Sequence, residues 1–267
     1  MKALVFLQLR SIFTKKTSII LLLFFIILAF LQGLRLRQYF LIYELEGNAL
    51  DFLMFTVGGW QSPTLFTFIL SWLLFMFIFL YFSLLSSTIV DQLFNYVLPR
   101  LQKRVIIWGI TCMMQSILSV LLFLLFVFLH LLIGCLLFEN NWNFSTYSLQ
   151  FYPYWVNASL SVKTMLFRIS VIFISGLYAL FMMLQIILLF PLNKTYLYIS
   201  FVLFGIGTSI AYVYTTMPRM FAPFFYVSTM SLPADQTAFI TAFLSNMLIV
   251  VFCGLIGIFL WRKREVL

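Results

Sequence analysis

The chain reads as an all-α integral membrane protein of six transmembrane helices, led by an N-terminal interfacial helix and with both termini in the cytoplasm. Three observations carry this reading. Of 267 residues, 64% are hydrophobic and only 9% charged, where a soluble domain carries about 25% charged residues. Apolar runs of about 18 residues or more recur along the whole length, and about 20 residues at about 1.5 Å rise match the hydrocarbon thickness of a bilayer. Those runs lack the alternation of a barrel strand, whereas a helix satisfies its own backbone groups in lipid.

Residues 1–17 carry Lys2, Arg10, Lys15 and Lys16. At helical pitch Val5, Phe6, Leu9, Ile12 and Phe13 share one face, largely opposite Gln8, Arg10, Ser11, Thr14 and Lys15, which predicts an amphipathic helix lying in the interface. The first span is expected at about 18–34. It ends in QGLR without a small-x-small cleavage pattern, so it is read as retained. Residues 35–63, with Glu44, Glu46 and Asp51, form the first outer loop, and 65–85 the second span. The stretch 86–104 returns Asp91, Arg100, Lys103 and Arg104 to the first side. The third span, 105–138, is longer than a bilayer requires and must tilt, kink or protrude. Residues 139–163 are polar and aromatic, with Trp142, Tyr147, Tyr152, Tyr154 and Trp155 suited to the headgroup zone.

The fourth span is placed at 164–190. The tight turn PLNK at 191–194 makes the fifth span, 195–214, its antiparallel neighbour. Residues 215–236, with Pro218, Pro223 and Pro233, are the last outer segment. The sixth span follows at 237–260, and 261–267 is a basic cytoplasmic tail. No repeat or soluble domain interrupts this single membrane domain.

Orientation follows from the basic residues. Lys2, Arg10, Lys15, Lys16, Arg100, Lys103, Arg104, Lys194, Arg262, Lys263 and Arg264 lie on one side of this arrangement, and only Arg35, Arg37, Lys163, Arg168 and Arg219 on the other. The richer side is therefore cytoplasmic. The net charge of +9 is scattered over span ends rather than gathered into a patch, which argues against a nucleic-acid partner.

Chemistry within the chain finds little support. No Gly-Lys pair exists to build a phosphate-binding GxxxxGK[ST] loop, and His130 is the only histidine, so HExxH and multi-histidine metal sites are ruled out. Cys112, Cys135 and Cys253 sit in apolar runs without metal-ligand spacing. An enzyme is not expected, nor a cofactor held by this chain. Ionisable groups inside spans are costly and so draw functional hypotheses; His130 and Arg168 are the candidates for a path or gate, against packing and snorkelling. Gly205-x-Gly207 and Gly254-x-x-Gly257 read as close-packing points.

The segment 86–104 is the most informative. Thr88-Ile-Val-Asp91 fits a helix cap, the apolar residues from Ile89 to Leu98 fall at helical spacing, and a basic cluster follows Pro99. It reads either as a helix end bearing topology charges or as a docking surface for a cytoplasmic partner.

Three stretches taken in order resemble the permeases of type-2 ATP-binding-cassette exporters, especially small bacterial ones linked to peptide export or self-protection. They are FLQLRSIFTKK at 6–16, similar to the family's elbow helix; YVLPRLQKRVIIW at 96–108, similar to the basic segment after the second span that meets the ATPase; and WRKREVL at 261–267. The aromatic outer loop at 139–163 departs from relatives in which that loop is shorter. The resemblance implies a permease dimer, identical or with a sister chain, in a bacterial plasma membrane. Two cytoplasmic ATPase subunits would bind ATP and Mg. Asp91, Phe94, Tyr96, Arg100, Lys103 and Arg104 would couple to the ATPase, with Arg10, Lys15 and Lys16 on the elbow. The expected cargo is hydrophobic or a peptide. Two other classes stay open: a non-transporting immunity or binding protein, and an ion-coupled carrier or channel.

Overall fold

The computed structural model describes residues 6, 9–57, 76–88, 105–151, 155–156, 160–214, 223–227 and 235–265. The longer elements are α1 (Lys15–Tyr43), α2 (Ala49–Val57), α3 (Met76–Thr88), α4 (Val105–Leu137), α5 (Thr146–Phe151), α6 (Val162–Ile187), α7 (Lys194–Tyr214), a 3-10 turn (Pro223–Val227) and α8 (Gln236–Glu265). The chain is an all-α membrane protein: among the described residues five helices, α1, α4, α6, α7 and α8, are long and apolar enough to cross a bilayer. The second expected span falls partly on residues outside those described, and its described part, α3, is a shorter apolar helix.

Local chemistry sets the ends of α1. Thr14 is extended, and its hydroxyl accepts the Thr17 N–H at 3.3 Å, one of the four donors that a helix start leaves unmatched. The helix therefore starts at Lys15, so Lys15 and Lys16 belong to its first turn rather than to the amphipathic lead-in, of which 9–12 are helical. At the other end α1 runs past the expected limit near Leu34 to Tyr43, closing on Glu44 in the left-handed region at φ 51°. Arg35 and Arg37 thus lie on the helix, not in a loop. At 29 residues α1 is about 43 Å long and at 33 residues α4 is about 50 Å, both longer than a hydrocarbon core of about 30 Å. Their surplus length supports a cap of α2, α5 and residues 138–145. The helix α8 likewise continues through the expected tail to Glu265.

The centre of the bundle is aromatic. Phe25 of α1, Phe79 of α3, Phe126 of α4 and Phe173 of α6 meet with ring centroids 5.6–5.8 Å apart. Lipid offers no hydrophobic drive for helices to associate, so close packing must supply it; edge-to-face rings add about 0.5–1.5 kcal/mol per pair beyond area. The helix α6 is central: 67% of its most apolar window is buried, against 22% for α8. The open faces of α4 and α8 carry Leu124, Phe128, Leu244, Leu248, Leu255 and Phe259, as lipid contact requires.

Cross-contacts fix the alternation of directions. Phe13 stacks on Phe82, Gln185 reaches Ser83, Lys194 reaches Ser87 and Trp108 reaches Gly254, so these positions share one end of the bundle, called the basic end. Phe40 with Tyr147 and Glu46 with Thr146 mark the cap end.

Candidate functional site

The stretch Pro223–Val227, which lies within the segment expected as an outer loop, sits inside the bundle. Phe224, Tyr226 and Val227 are buried. A Cβ at Gly176 of α6 would collide with the Tyr226 carbonyl, and one at Gly205 of α7 with the Phe224 ring. Gly176 is 14 residues from Val162, about 21 Å along α6 from the cap end, and Gly205 is about 14 Å down α7. Backbone at such depth must find partners inside the protein. Asn246 supplies one: its side-chain amide donates to the Tyr226 carbonyl at 3.2 Å and to the Ser175 hydroxyl at 3.1 Å. The Ser175 hydroxyl in turn donates to the Ile172 carbonyl at 3.2 Å. One buried cluster thus joins α6, α8 and the re-entrant turn.

A second polar group sits toward the basic end, where α3 receives donors from three other elements. Gln185 of α6 donates to the carbonyl and hydroxyl of Ser83 at 2.9 and 3.1 Å. Gln115 of α4 donates to the Ser86 hydroxyl at 3.2 Å. Lys194, at the start of α7, donates to the Ser87 hydroxyl at 3.0 Å. Tyr198 adds a bond to the Phe77 carbonyl at 2.9 Å. These bonds register α3 against the bundle immediately before residues 89–104.

The expected coupling residues Asp91, Phe94, Tyr96, Arg100, Lys103 and Arg104 lie outside the described residues. Arg10, Lys15 and Lys16 are exposed at the basic end. His130 is fully buried on α4, where Nδ1 lies 2.7 Å from the Phe126 carbonyl. A carbonyl only accepts, so Nδ1 carries the proton. Phe126 and Phe52 flank the ring, with centroids at 4.1 and 5.9 Å. Arg168 is 9% exposed, and its guanidinium lies 5.4 Å from the Phe239 ring centre on α8. Nearby Asp235 caps α8 through Thr237 and Ala238; the Thr237 hydroxyl, more than any other neighbour, holds its carboxyl below the usual range. Of the glycines expected at close packing, Gly205 and Gly257 are, the latter against the Trp108 ring, while Gly207 and Gly254 face open space.

The cap holds a group that the sequence reading left in a loop. Asn48 accepts the Leu50 and Asp51 N–H groups on its side chain, and Asp51 Oδ2 accepts the Asn48 N–H at 2.8 Å. This is a reciprocal capping box. The spacing Asn48-x-x-Asp51 ahead of the apolar run DFLMFTV is the signal that could have found it. Asn48 also donates to the Asn143 carbonyl at 2.8 Å, and the Ala49 N–H to the Glu139 carbonyl at 3.0 Å. Asp51 is fully buried and its Oδ1 makes no well-formed hydrogen bond. Burial raises its pKa to about 6, more than the hydroxyl of Ser145, the Asn48 N–H and the hydroxyl of Ser148 lower it.

Comparison with protein-family models, curated proteins and solved structures returned no match. Among the described residues no three His, Cys, Asp or Glu gather as metal ligands. The three cysteines are free thiols. What remains chemically distinctive is a short 3-10 turn held deep in an apolar bundle, together with a hydrogen-bonded seat for α3.

Proposed function

We propose that this chain is the transmembrane permease subunit of an ATP-binding-cassette exporter in a bacterial plasma membrane, crossing the bilayer six times with both termini in the cytoplasm. It works as a dimer of permeases, identical or with a sister chain, on two ATPase subunits that bind ATP and Mg. The exported substrate is hydrophobic or a peptide.

The observation that carries this reading is the buried turn at 223–227, whose Tyr226 carbonyl is matched by Asn246. A purely structural or sequestering bundle has no need of a short 3-10 turn at that depth, whereas a transporter breaks its α-helices beside the path. The seat of α3 agrees with this. Asp91 to Arg104 follow α3 directly, so a push on that segment from the ATPase would reach Gln115, Gln185 and Lys194 through Ser83, Ser86 and Ser87. Switching by nucleotide requires this seat to have two packings. His130 and Arg168 then line or brace the outer part of the path.

The test is to isolate the chain from native membranes and identify what accompanies it. A soluble subunit carrying GxxxxGK[ST] supports the reading. Charge reversal, Arg100→Glu with Arg104→Glu, should leave membrane insertion intact and abolish that copurification. Retained copurification removes the docking role, and transport that persists in ATP-depleted vesicles removes the ATP-driven reading.

A further inference from the structure

The cap contains a titratable group that the transport reading does not use. Asp51 closes the Asn48 capping box at the start of α2. Its side chain has no exposed surface. One oxygen closes the capping box while the other makes no well-formed hydrogen bond. It also lies at the junction of α2 with the segment 139–148, where Asn48 and Ala49 bond to Asn143 and Glu139, and the Glu46 N–H and carbonyl bond to Thr146 at 3.0 Å each. A carboxylate costs far more to hold in such a place than a carboxylic acid.

We propose that Asp51 is a proton-binding site that latches the cap, so that the junction between 46–51 and 139–148 is tight when Asp51 is protonated and loosens when it ionises. A proton on Oδ1 turns an oxygen without a well-formed hydrogen bond into a donor, beside the Ser145 and Ser148 hydroxyls. The titratable groups on neighbouring elements are His130 on α4 and Glu139 beyond its end, Arg35, Arg37, Tyr39 and Glu44 on or at α1, Glu46 ahead of α2, and Tyr147 on α5. None of these contributes to the state of Asp51; burial and the bonds from Ser145, Asn48 and Ser148 do.

The sign follows from linkage. The pKa in the closed cap is about 6, above the ordinary 3.8, so the closed form binds the proton more tightly. Its advantage is fully present below about pH 4, falls as pH rises to about 6, and stays low above that. Two pK units bound the change at about 100-fold in the closed-to-open ratio, and between pH 4.5 and 7.5 roughly tenfold or more is expected.

The experiment uses the full chain in nanodiscs, with Cys112, Cys135 and Cys253 replaced by Ser and spin labels on Glu46→Cys and Leu149→Cys. A single narrow distance at pH 4.5 should give way to a broader, longer distribution at pH 7.5, and Asp51→Asn should keep the narrow distribution at both. A distribution that does not change with pH, or a pH dependence that survives Asp51→Asn, overturns the proposal. A second readout needs no labels: the thermal midpoint of the native-cysteine chain should fall from pH 4.5 to 7.5 by more than that of Asp51→Asn. Equal falls also overturn it. The latch stands whatever the chain transports.

Discussion

Asn246 on α8 reaches the backbone carbonyl of Tyr226 at 3.2 Å while its second amide proton reaches Ser175 on α6. Replacing it with Leu preserves volume and removes both donors. Ser175 keeps its own bond to Ile172, so the loss falls on the Tyr226 carbonyl. Leaving a buried acceptor unmatched costs about 1–3 kcal/mol. Asn246→Leu should lower the thermal midpoint in detergent by several degrees, while Asn246→Gln should recover part of the loss.

Gly176 and Gly207 make a matched pair for substitution by Ala. At Gly176 the added methyl meets the Tyr226 carbonyl, which is backbone and cannot swing aside; at Gly207 it meets nothing within 4 Å. Gly176→Ala should destabilise by about 1–3 kcal/mol. Gly207→Ala should be neutral or gain up to about 1 kcal/mol from helix propensity. Chemical or thermal unfolding in the same detergent distinguishes the two. Similar losses at both sites would refute the buried turn.

Trp108 and Gly257 should behave as one unit. The indole N–H donates to the Gly254 carbonyl at 2.9 Å and the ring fills the space where a Gly257 side chain would stand. Gly257→Ala alone is expected to be severe. Trp108→Phe alone loses one bond, and together with Gly257→Ala it should recover much of the single-mutant defect. Yield of folded protein across the four-variant cycle measures the coupling, which for touching residues falls at about 0.5–3 kcal/mol.

The seat of α3 offers a graded test. An interhelical hydrogen bond in a membrane contributes about 0.6 kcal/mol, rising to about 1.7. Gln185→Leu removes donors to both the carbonyl and the hydroxyl of Ser83, whereas Ser83→Ala removes only the hydroxyl. The first change should therefore cost more stability than the second. Thermal unfolding of both variants in the same detergent measures the difference.

How much of this was readable beforehand depended on what each residue's neighbours are. The long helices were legible because lipid demands an unbroken apolar run, and α4 and α7 fall within a residue of their expected bounds. The far end of α1 was not, because Arg35 and Arg37 read as loop residues, yet they ride a helix whose surplus length carries the cap. Asp51 reads as a residue of the first outer loop; only its spacing from Asn48 hints at the capping box. The buried turn at 223–227 was hidden by Pro218, Pro223 and Pro233, which signal an exposed connection as readily as a re-entrant one. What decides between them is the room left by Gly176 and Gly205, on the two helices that precede the turn. Arg168 and His130 were identified from their type and position alone, and their partners Phe239, Phe126 and Phe52 lie in contacts no linear pattern records.

The central place of α6 has a consequence for biosynthesis. Ribosomes deliver α6 to the membrane before α7, the buried turn or α8 exist, yet Gly176, Ser175 and Arg168 each have a neighbour on those later segments. During that interval the helix must wait beside the insertion machinery with a cationic side chain and a notch uncovered. Chains truncated between α6 and α8 should accordingly be prime targets for membrane quality-control proteases.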